Sequence, residues 1–406
     1  MPNTSDYLII GAGIVGLTTA FELKKRFPNS SITILEKESK PGLHASGRNS
    51  GVMHSGVYYG ADTLKAKVCA KGARKMREFA AEHGIRCDVS GKVIIATSEQ
   101  DLITLERLLK NAHDNQIPVE KLDEEGIRAI EPYAATYRFG LFSPETAVID
   151  SMGVVGKLTD LLADQGVRFE FEAEAESIDA VHRAIRTKQG EFSYGHLFNC
   201  AGANADTVAK RFGLGEDYAL LPFKGIYYKL RKDRDYLVKS SIYPVPDISL
   251  PFLGVHLTRV ISGDVYVGPT AIPAFGRENY GILSGIRLTE AFGVAREMAA
   301  MYIRNHQNFR HLVYTEIRKY FKPYFLEATR KLVPSVTSDD LIPCDKVGIR
   351  PQLVNIREKR LEMDFVVEET PHSTHVLNAI SPAFTSSFAF AEWLVDLYER
   401  KAHVQG

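Results

Sequence analysis

The polar stretch Met1 to Asp6 gives way to Tyr7-Leu8-Ile9-Ile10, an unbroken apolar run of the kind that forms a strand buried on both faces. Leu17 to Phe27 predicts a helix closed by Pro28-Asn29, and Ser31-Ile32-Thr33-Ile34-Leu35 predicts a second strand ending at Glu36. Further on, a helix over about 152–165 precedes a strand from Val167 to Glu174. The segment Phe198-Asn199-Cys200-Ala201-Gly202-Ala203-Asn204-Ala205-Asp206 reads as a strand end turning into a helix, and Gly213-Leu214-Gly215 as a helix C-cap. Near the end, Val376-Leu377-Asn378 predicts a strand, Ser381 to Ser387 a turn, and 387–401 a helix. By contrast, 80–145 and 216–340 alternate apolar and polar residues in short runs bounded by Pro and Gly, which predicts antiparallel strands with some helices.

The 406 residues exceed what one hydrophobic core usually supports, so two domains are expected. The pattern divides them into a discontinuous domain of 1–80, 146–215 and 341–406, and a second of 81–145 and 216–340. A chain that is 45% hydrophobic and 25% charged is neither disordered nor collagen-like. Lys+Arg and Asp+Glu both number 50, so no global positive field exists to hold nucleic acid, and none is expected as a partner. The four cysteines, Cys69, Cys87, Cys200 and Cys344, form no C-x-x-C pair, which argues against a zinc knuckle or a dithiol site and fits a reducing cytoplasm. The start has no signal-peptide pattern, and no run of about 20 apolar residues occurs.

Between the first strand and its helix lies Gly11-Ala12-Gly13-Ile14-Val15-Gly16, and Glu36 ends the second strand. Strand, G-x-G-x-x-G, helix, strand and acid in register make a Rossmann-like dinucleotide site. Gly11 permits the tight turn, Gly13 lets a diphosphate approach the backbone, and Gly16 lets helix and strand pack closely. The helix start offers unpaired N–H groups and partial positive charge to the phosphates, and Glu36 can accept from a ribose diol. Its place at the N-terminus is typical of flavoproteins. No second strand–GxGxxG–helix unit follows, which favours FAD reduced directly by substrate.

Gly42 to Tyr59 holds four glycines, three serines and an asparagine, and is unsuited to long regular structure. A loop of this length just after a nucleotide-binding unit is commonly functional. Here the sequence resembles the FAD-dependent L-2-hydroxyglutarate dehydrogenase/oxidase family, within the D-amino-acid-oxidase and glycerol-3-phosphate-dehydrogenase superfamily. The resemblance rests on Leu35-Glu36-Lys37-Glu38 and on Ser46-Gly47-Arg48-Asn49-Ser50-Gly51-Val52-Met53-His54-Ser55-Gly56-Val57-Tyr58-Tyr59. Pro222-Phe223-Lys224-Gly225, Ile242 to Asp247, Pro251 to Arg259, Val267-Gly268-Pro269 and Ser381-Pro382-Ala383 extend it over nearly the whole chain. Two departures bear on the substrate: Pro351-Gln352 follow Gly348-Ile349-Arg350 where the family continues with alanine, and bulky Phe384 replaces a small residue.

The resemblance implies an α/β and α+β protein: a Rossmann-like FAD-binding domain with an antiparallel-sheet substrate domain. It implies flavin contacts from Lys37, Ser46, Asn49, Ser50, Gly51, Ala175, Ala201, Gly202, Gly348, Arg350 and Ala383, beside Gly11, Gly13, Gly16 and Glu36. The implied reaction is hydride transfer from C2 of a 2-hydroxy acid to flavin N5, with L-2-hydroxyglutarate giving 2-oxoglutarate. His54 is the candidate base, and His256 its rival. A His54 that only hydrogen-bonds the loop, or that carries a covalent flavin link, is the alternative. Lys224, Tyr243, Arg259 and Arg350 are candidates to hold the substrate's carboxylates, while Tyr58 and Tyr59 read as packing residues. No metal cluster or nucleophile triad is signalled. An amine oxidase of the same fold, acting on a glycine-, sarcosine- or D-amino-acid-like substrate, is the second reading, and a flavin protein without turnover the third.

The electron acceptor is left open among oxygen, a quinone and an electron-transfer protein. Gly281 to Lys331 bears on this, with nine Lys/Arg against four Glu and many aromatics. It predicts either amphipathic helices facing the core or a basic, aromatic surface for peripheral membrane contact.

Overall fold

The computed structural model describes residues 3–247 and 252–405. Pro251 of the family segment lies outside the described residues. One sheet has eight strands, five of them parallel, in the order Arg168–Glu170, Ile32–Leu35, Thr4–Ile10, Gly190–Asn199 and Ser373–Asn378. Tyr7 and Ile9 pack under helices Ile14–Arg26, Leu64–Glu82, Ser151–Asp164 and Ala383–Gln405, while Leu8 and Ile10 pack against Phe192 and Leu197 on the other face. This two-sided burial is what the unbroken apolar run requires.

A second sheet of ten strands stands over the first. It runs from Leu341–Asn355 through Tyr218–Leu230, Val265–Gly268, His256–Arg259, Ser241–Pro244 and Lys92–Ile95 to Phe139–Ser143 and Glu120–Asp123, with short strands at its margin. It is antiparallel as expected, except for one seam where Ser241–Pro244 lies parallel to Lys92–Ile95. Parallel neighbours need a long crossover, and the residues between them supply it by passing through the first sheet. A small sheet of Val52–Met53, Ala147–Ile149 and Cys87–Asp88 bridges the two layers.

Three local expectations are corrected. Leu341–Asn355, assigned from sequence to the first domain, pairs along Tyr218–Leu230 in the second sheet. Its Pro343, Gly348 and Pro351 and its half-exposed polar face hide the strand signal. Ser381 to Ser387 is not simply a turn, because the last helix begins at Ala383. Thr385, Ser386 and Ser387 are buried there, and a Cβ on Gly72 would stand 2.5 Å from the Ser386 Cα, so their small size serves close helix packing. Finally, Gly281 to Arg287 forms turns rather than helix, with Asn279 donating to the carbonyls of Gly281, Ile282 and Ser284. Helices Leu288–Arg304, Phe309–Arg318 and Lys322–Arg330 follow. The segment buries Phe309 and Phe325 in the core and leaves Phe292, Tyr314 and Phe321 exposed.

Candidate active site

A cavity of about 720 Å³ runs between the layers from the glycine turn to Tyr243 and Arg350, within the size range of small-ligand sites. At its outer end Gly11 has φ +103°, a conformation L side chains avoid, and a Cβ there would stand 2.6 Å from the Cys200 carbonyl oxygen. A Cβ at Gly16 would run into the Gly11 carbonyl. Helix Ile14–Arg26 opens on Gly13 with no side-chain cap and no acid in its first turn, so its amides and positive end face the cavity. Ser46 Oγ accepts from the Ile14 amide at 2.9 Å. Glu36 accepts from the amides of Ala12 at 2.8 Å and Glu38 at 3.0 Å, which tightens the turn around its carboxylate.

These features fit a diphosphate-bridged dinucleotide: the positive end of a helix with no side-chain cap at Gly13, glycines that a Cβ would obstruct, and a carboxylate at the second strand's end. Ala175, Ala201 and Gly202 line the adjoining wall with small side chains. Ser50, Gly348, Arg350 and Ala383 line the cavity further along. Asn49 lines it too, and braces its own loop by donating to the Ser46 carbonyl and accepting from the Gly51 amide. Gly51 is pressed on Ile149 instead of lining the cavity, and its φ of +73° makes the turn. Lys37 lines the cavity while paired with Glu38 and Glu278.

His54, Tyr243 and His256 meet at the inner end. The Tyr243 ring stacks on His256 with centroids 3.8 Å apart and meets the His54 ring edge-on at 6.4 Å. The Gly254 carbonyl faces His256 Nδ1 at 2.8 Å, so Nδ1 donates and Nε2 remains an acceptor. Burial pushes the His256 pKa down to about 3, with Arg350 and Lys92 adding to the effect. Burial also holds the His54 pKa well below its usual value, followed by the charges of Lys92, His256 and Arg350. Both rings are therefore neutral at pH 7. His54 Nδ1 is buried without a partner, which leaves Nε2 on the open side of the ring.

Arg350 lines this end, and among the described residues no carboxylate pairs with it. The two other basic candidates are placed differently. Arg259 donates to the carbonyls of Val238, Gly263 and Asp235 and does not line the cavity, because its guanidinium ties strand His256–Arg259 to the preceding turn. Lys224 likewise lies off the cavity lining, donating to the Gly281 carbonyl at 2.6 Å and anchoring that turn. Pro351 and Gln352, singled out from sequence as departures near the substrate, line the cavity; the sequence reading missed Tyr227, Arg277 and Tyr280, which also line it, and fully buried Lys92 behind it. Only Lys92 left a signal, a lone cation opening the apolar run Val93-Ile94-Ile95.

This fold and cleft define an FAD-binding oxidoreductase of the two-layer type. The chain belongs to the FAD dependent oxidoreductase (DAO) family, whose model matches residues 6–397. It is 35% identical over 399 residues to the L-2-hydroxyglutarate dehydrogenase of Escherichia coli strain K12, covering 96% of this chain and 92% of the relative. It is 33% identical over 423 residues to the mitochondrial L-2-hydroxyglutarate dehydrogenase of Homo sapiens, covering 98% and 89%. Among solved structures, FAD-bound, dithionite-reduced L-alpha-glycerophosphate oxidase from Mycoplasma pneumoniae superposes with a TM-score of 0.79 at 21% identity, covering 98% of this chain and 95% of that one. Glycine oxidase from Geobacillus kaustophilus gives 0.72 at 17%, with the same coverage. These two likenesses establish the fold, and the cofactor is FAD.

Proposed function

We propose that this flavoenzyme oxidises a small 2-hydroxy dicarboxylate, L-2-hydroxyglutarate, to 2-oxoglutarate. The observation that carries the reading is Arg350, a guanidinium on the cavity wall with no carboxylate partner among the described residues, beside two neutral histidines and Tyr243. The similarity to L-2-hydroxyglutarate dehydrogenases supports the choice of substrate. Gly11, Gly13, Gly16 and Ser46 would hold the diphosphate and Glu36 the ribose. Ala175, Ala201 and Gly202 would flank the adenine half, and Ser50, Gly348 and Ala383 the ring half.

FAD, when bound, would supply the two-electron oxidant for the C2 hydride. Arg350 grips one carboxylate through two parallel N–H donors and orients C2. The buried Tyr243 phenol, held protonated, donates a further hydrogen bond. His54 Nε2 takes the hydroxyl proton as the C2–O bond becomes a carbonyl. In the free enzyme burial, helped by the surrounding positive charge, keeps His54 unprotonated. A dianionic substrate adds negative charge beside it and raises its proton affinity when it is needed. His256, with Nε2 left as an acceptor, orients the hydroxyl. Arg259 and Lys224 are left out of the carboxylate set because neither lines the cavity and each donates to backbone carbonyls instead.

Anaerobic mixing of the oxidised holoenzyme with L-2-hydroxyglutarate, D-2-hydroxyglutarate, glycine and sarcosine tests this, read by loss of flavin absorbance. L-2-hydroxyglutarate is expected to bleach the flavin. Bleaching by an amine alone would assign amine oxidation instead. His54→Asn is expected to slow bleaching by about 10²- to 10⁴-fold while substrate still binds.

The acceptor is proposed to be a lipid-soluble quinone reached by peripheral contact on the cytoplasmic face. Leu288, Phe292 and Phe321 stand 86%, 77% and 63% exposed, next to Arg296 and Lys322, the composition of an interfacial surface. Co-sedimentation with anionic vesicles at low salt, lost in Phe292→Ser/Phe321→Ser, is the expected outcome. No sedimentation would favour oxygen or an electron-transfer protein. Among the described residues no helix is long and apolar enough to cross a membrane.

A further inference from the structure

Lys92 opens strand Lys92–Ile95 and is fully buried. Its Nζ has no hydrogen-bond partner among the described residues. The side chain projects on the same strand face as Ile94, which packs with Val57, Tyr58 and Tyr243. The ammonium lies 4.5 Å from the Tyr58 ring centroid and 5.1 Å from that of Tyr243, within the range at which a ring face attracts a cation. Both rings meet His54 by their edges, at 6.5 and 6.4 Å. Three polar atoms without partners therefore gather at one wall: Lys92 Nζ, Tyr58 OH and His54 Nδ1. Burying an unpaired amine is costly, and packing alone does not call for one at this position.

We propose that Lys92 is a positioning residue for the oxidation: from behind the Tyr58–Tyr243 ring pair, its buried charge acts on His54 and keeps the proton off the base. This rests on the reading of His54 as the base. Every titratable group facing Lys92 leaves that charge unneutralised. From helix Leu64–Glu82, the Cys69 thiol is pushed up to about 12 by burial and stays neutral, and Lys65 adds a second cation. Burial keeps Tyr58, Tyr59 and Tyr243 as phenols. His256 is neutral, and Arg350 is a further cation. Asp364 faces Lys65 and accepts from its amide. Burial also lowers Lys92 itself to about 7. Its charge is thus present below neutrality, the range in which a proton would otherwise reach His54.

The sign follows directly. Removing the charge makes His54 easier to protonate, so the acid limb of the kcat/KM profile moves to higher pH. In FAD-loaded Lys92→Met and Lys92→Gln, assayed with L-2-hydroxyglutarate, the limb is expected to rise by about 0.5–1 unit with little change above pH 8. Flavin content and melting temperature monitor folding. A limb that superposes on the parent's in a flavin-loaded variant would overturn the proposal. A second measurement needs no Lys92 variant. In wild-type holoenzyme carrying ¹³C-labelled histidine and lysine, the His54 ring signal, assigned by its loss in His54→Asn, is expected to step in the same pH range as the most depressed lysine signal. Independent titrations would refute the coupling. Full turnover in His54→Asn would instead refute the base, so the two failures are told apart.

Discussion

Replacing Arg350 by Met tests the substrate reading at its most exposed point. The side chain lies in the cavity wall, and among the described residues no protein carboxylate pairs with it, so its loss strands no partner. The nearest aromatic contact, Phe252 at 5.9 Å, is at the limit of a cation–π interaction. Stability is therefore expected to change by less than about 0.5 kcal/mol. Substrate binding should lose a charge-assisted hydrogen-bonded pair, worth about 1.5–3 kcal/mol, or about 10- to 160-fold in affinity. Stopped-flow reduction under anaerobic conditions separates the two, with the concentration dependence giving Kd and the plateau giving the reduction rate. Arg350→Lys keeps the charge but not the two-pronged geometry, and should recover only part of the loss. A Kd within twofold of the parent, in flavin-loaded Arg350→Met of unchanged melting temperature, would refute the assignment of Arg350 to the carboxylate.

Gly13→Ala would bring a Cβ to 3.2 Å from Ser46 Oγ, just where the diphosphate must approach. FAD affinity should fall by about 1 kcal/mol or more, read by fluorescence titration of the apoprotein, with the far-ultraviolet circular dichroism unchanged. Arg277→Ala leaves buried Asp206 without its guanidinium and frees Glu290. Loss of one partner of such a pair predicts about 3 kcal/mol of destabilisation in urea unfolding, and Arg277→Lys should recover part of it. Burial lowers His196 to about 3 and His375 to about 4, below the usual histidine value in the unfolded chain. The unfolded state then takes up protons that the folded state refuses, so this stability is complete above about pH 6.5 and drains as pH falls toward 4. The melting temperature should drop between pH 7.5 and 5, and drop less in His375→Gln.

The opening strand, the glycine turn and Glu36 were legible because each obeys a local rule of unbroken apolar burial, missing Cβ atoms or fixed spacing. His54, Tyr243 and Arg350 were legible only through resemblance, since nothing local to 54, 243 or 350 says that three distant segments converge. Arg259 and Lys224 misled because a basic residue on a strand looks the same whether its donors face a ligand or a neighbouring carbonyl. Leu341–Asn355 was hidden by its place in the fold, because a strand that floors a cavity carries glycine, proline and charge in place of alternation. Lys92 was readable as an oddity in an apolar run, but its significance needs the two tyrosine rings, and those arrive from residues 58 and 243.

The chain passes between the eight-stranded and ten-stranded sheets four times, at the segments following Leu35, Ser143, Asn199 and Leu361. A hinge motion is absorbed by the residues of the connecting segments, and here four covalent threads would have to flex in concert. Any opening of the cavity by relative movement of the two halves therefore has to bend all four connections together. Cutting the gene at any one crossing would leave both fragments without their mating strands, so dissection into an autonomous nucleotide-binding half is expected to fail.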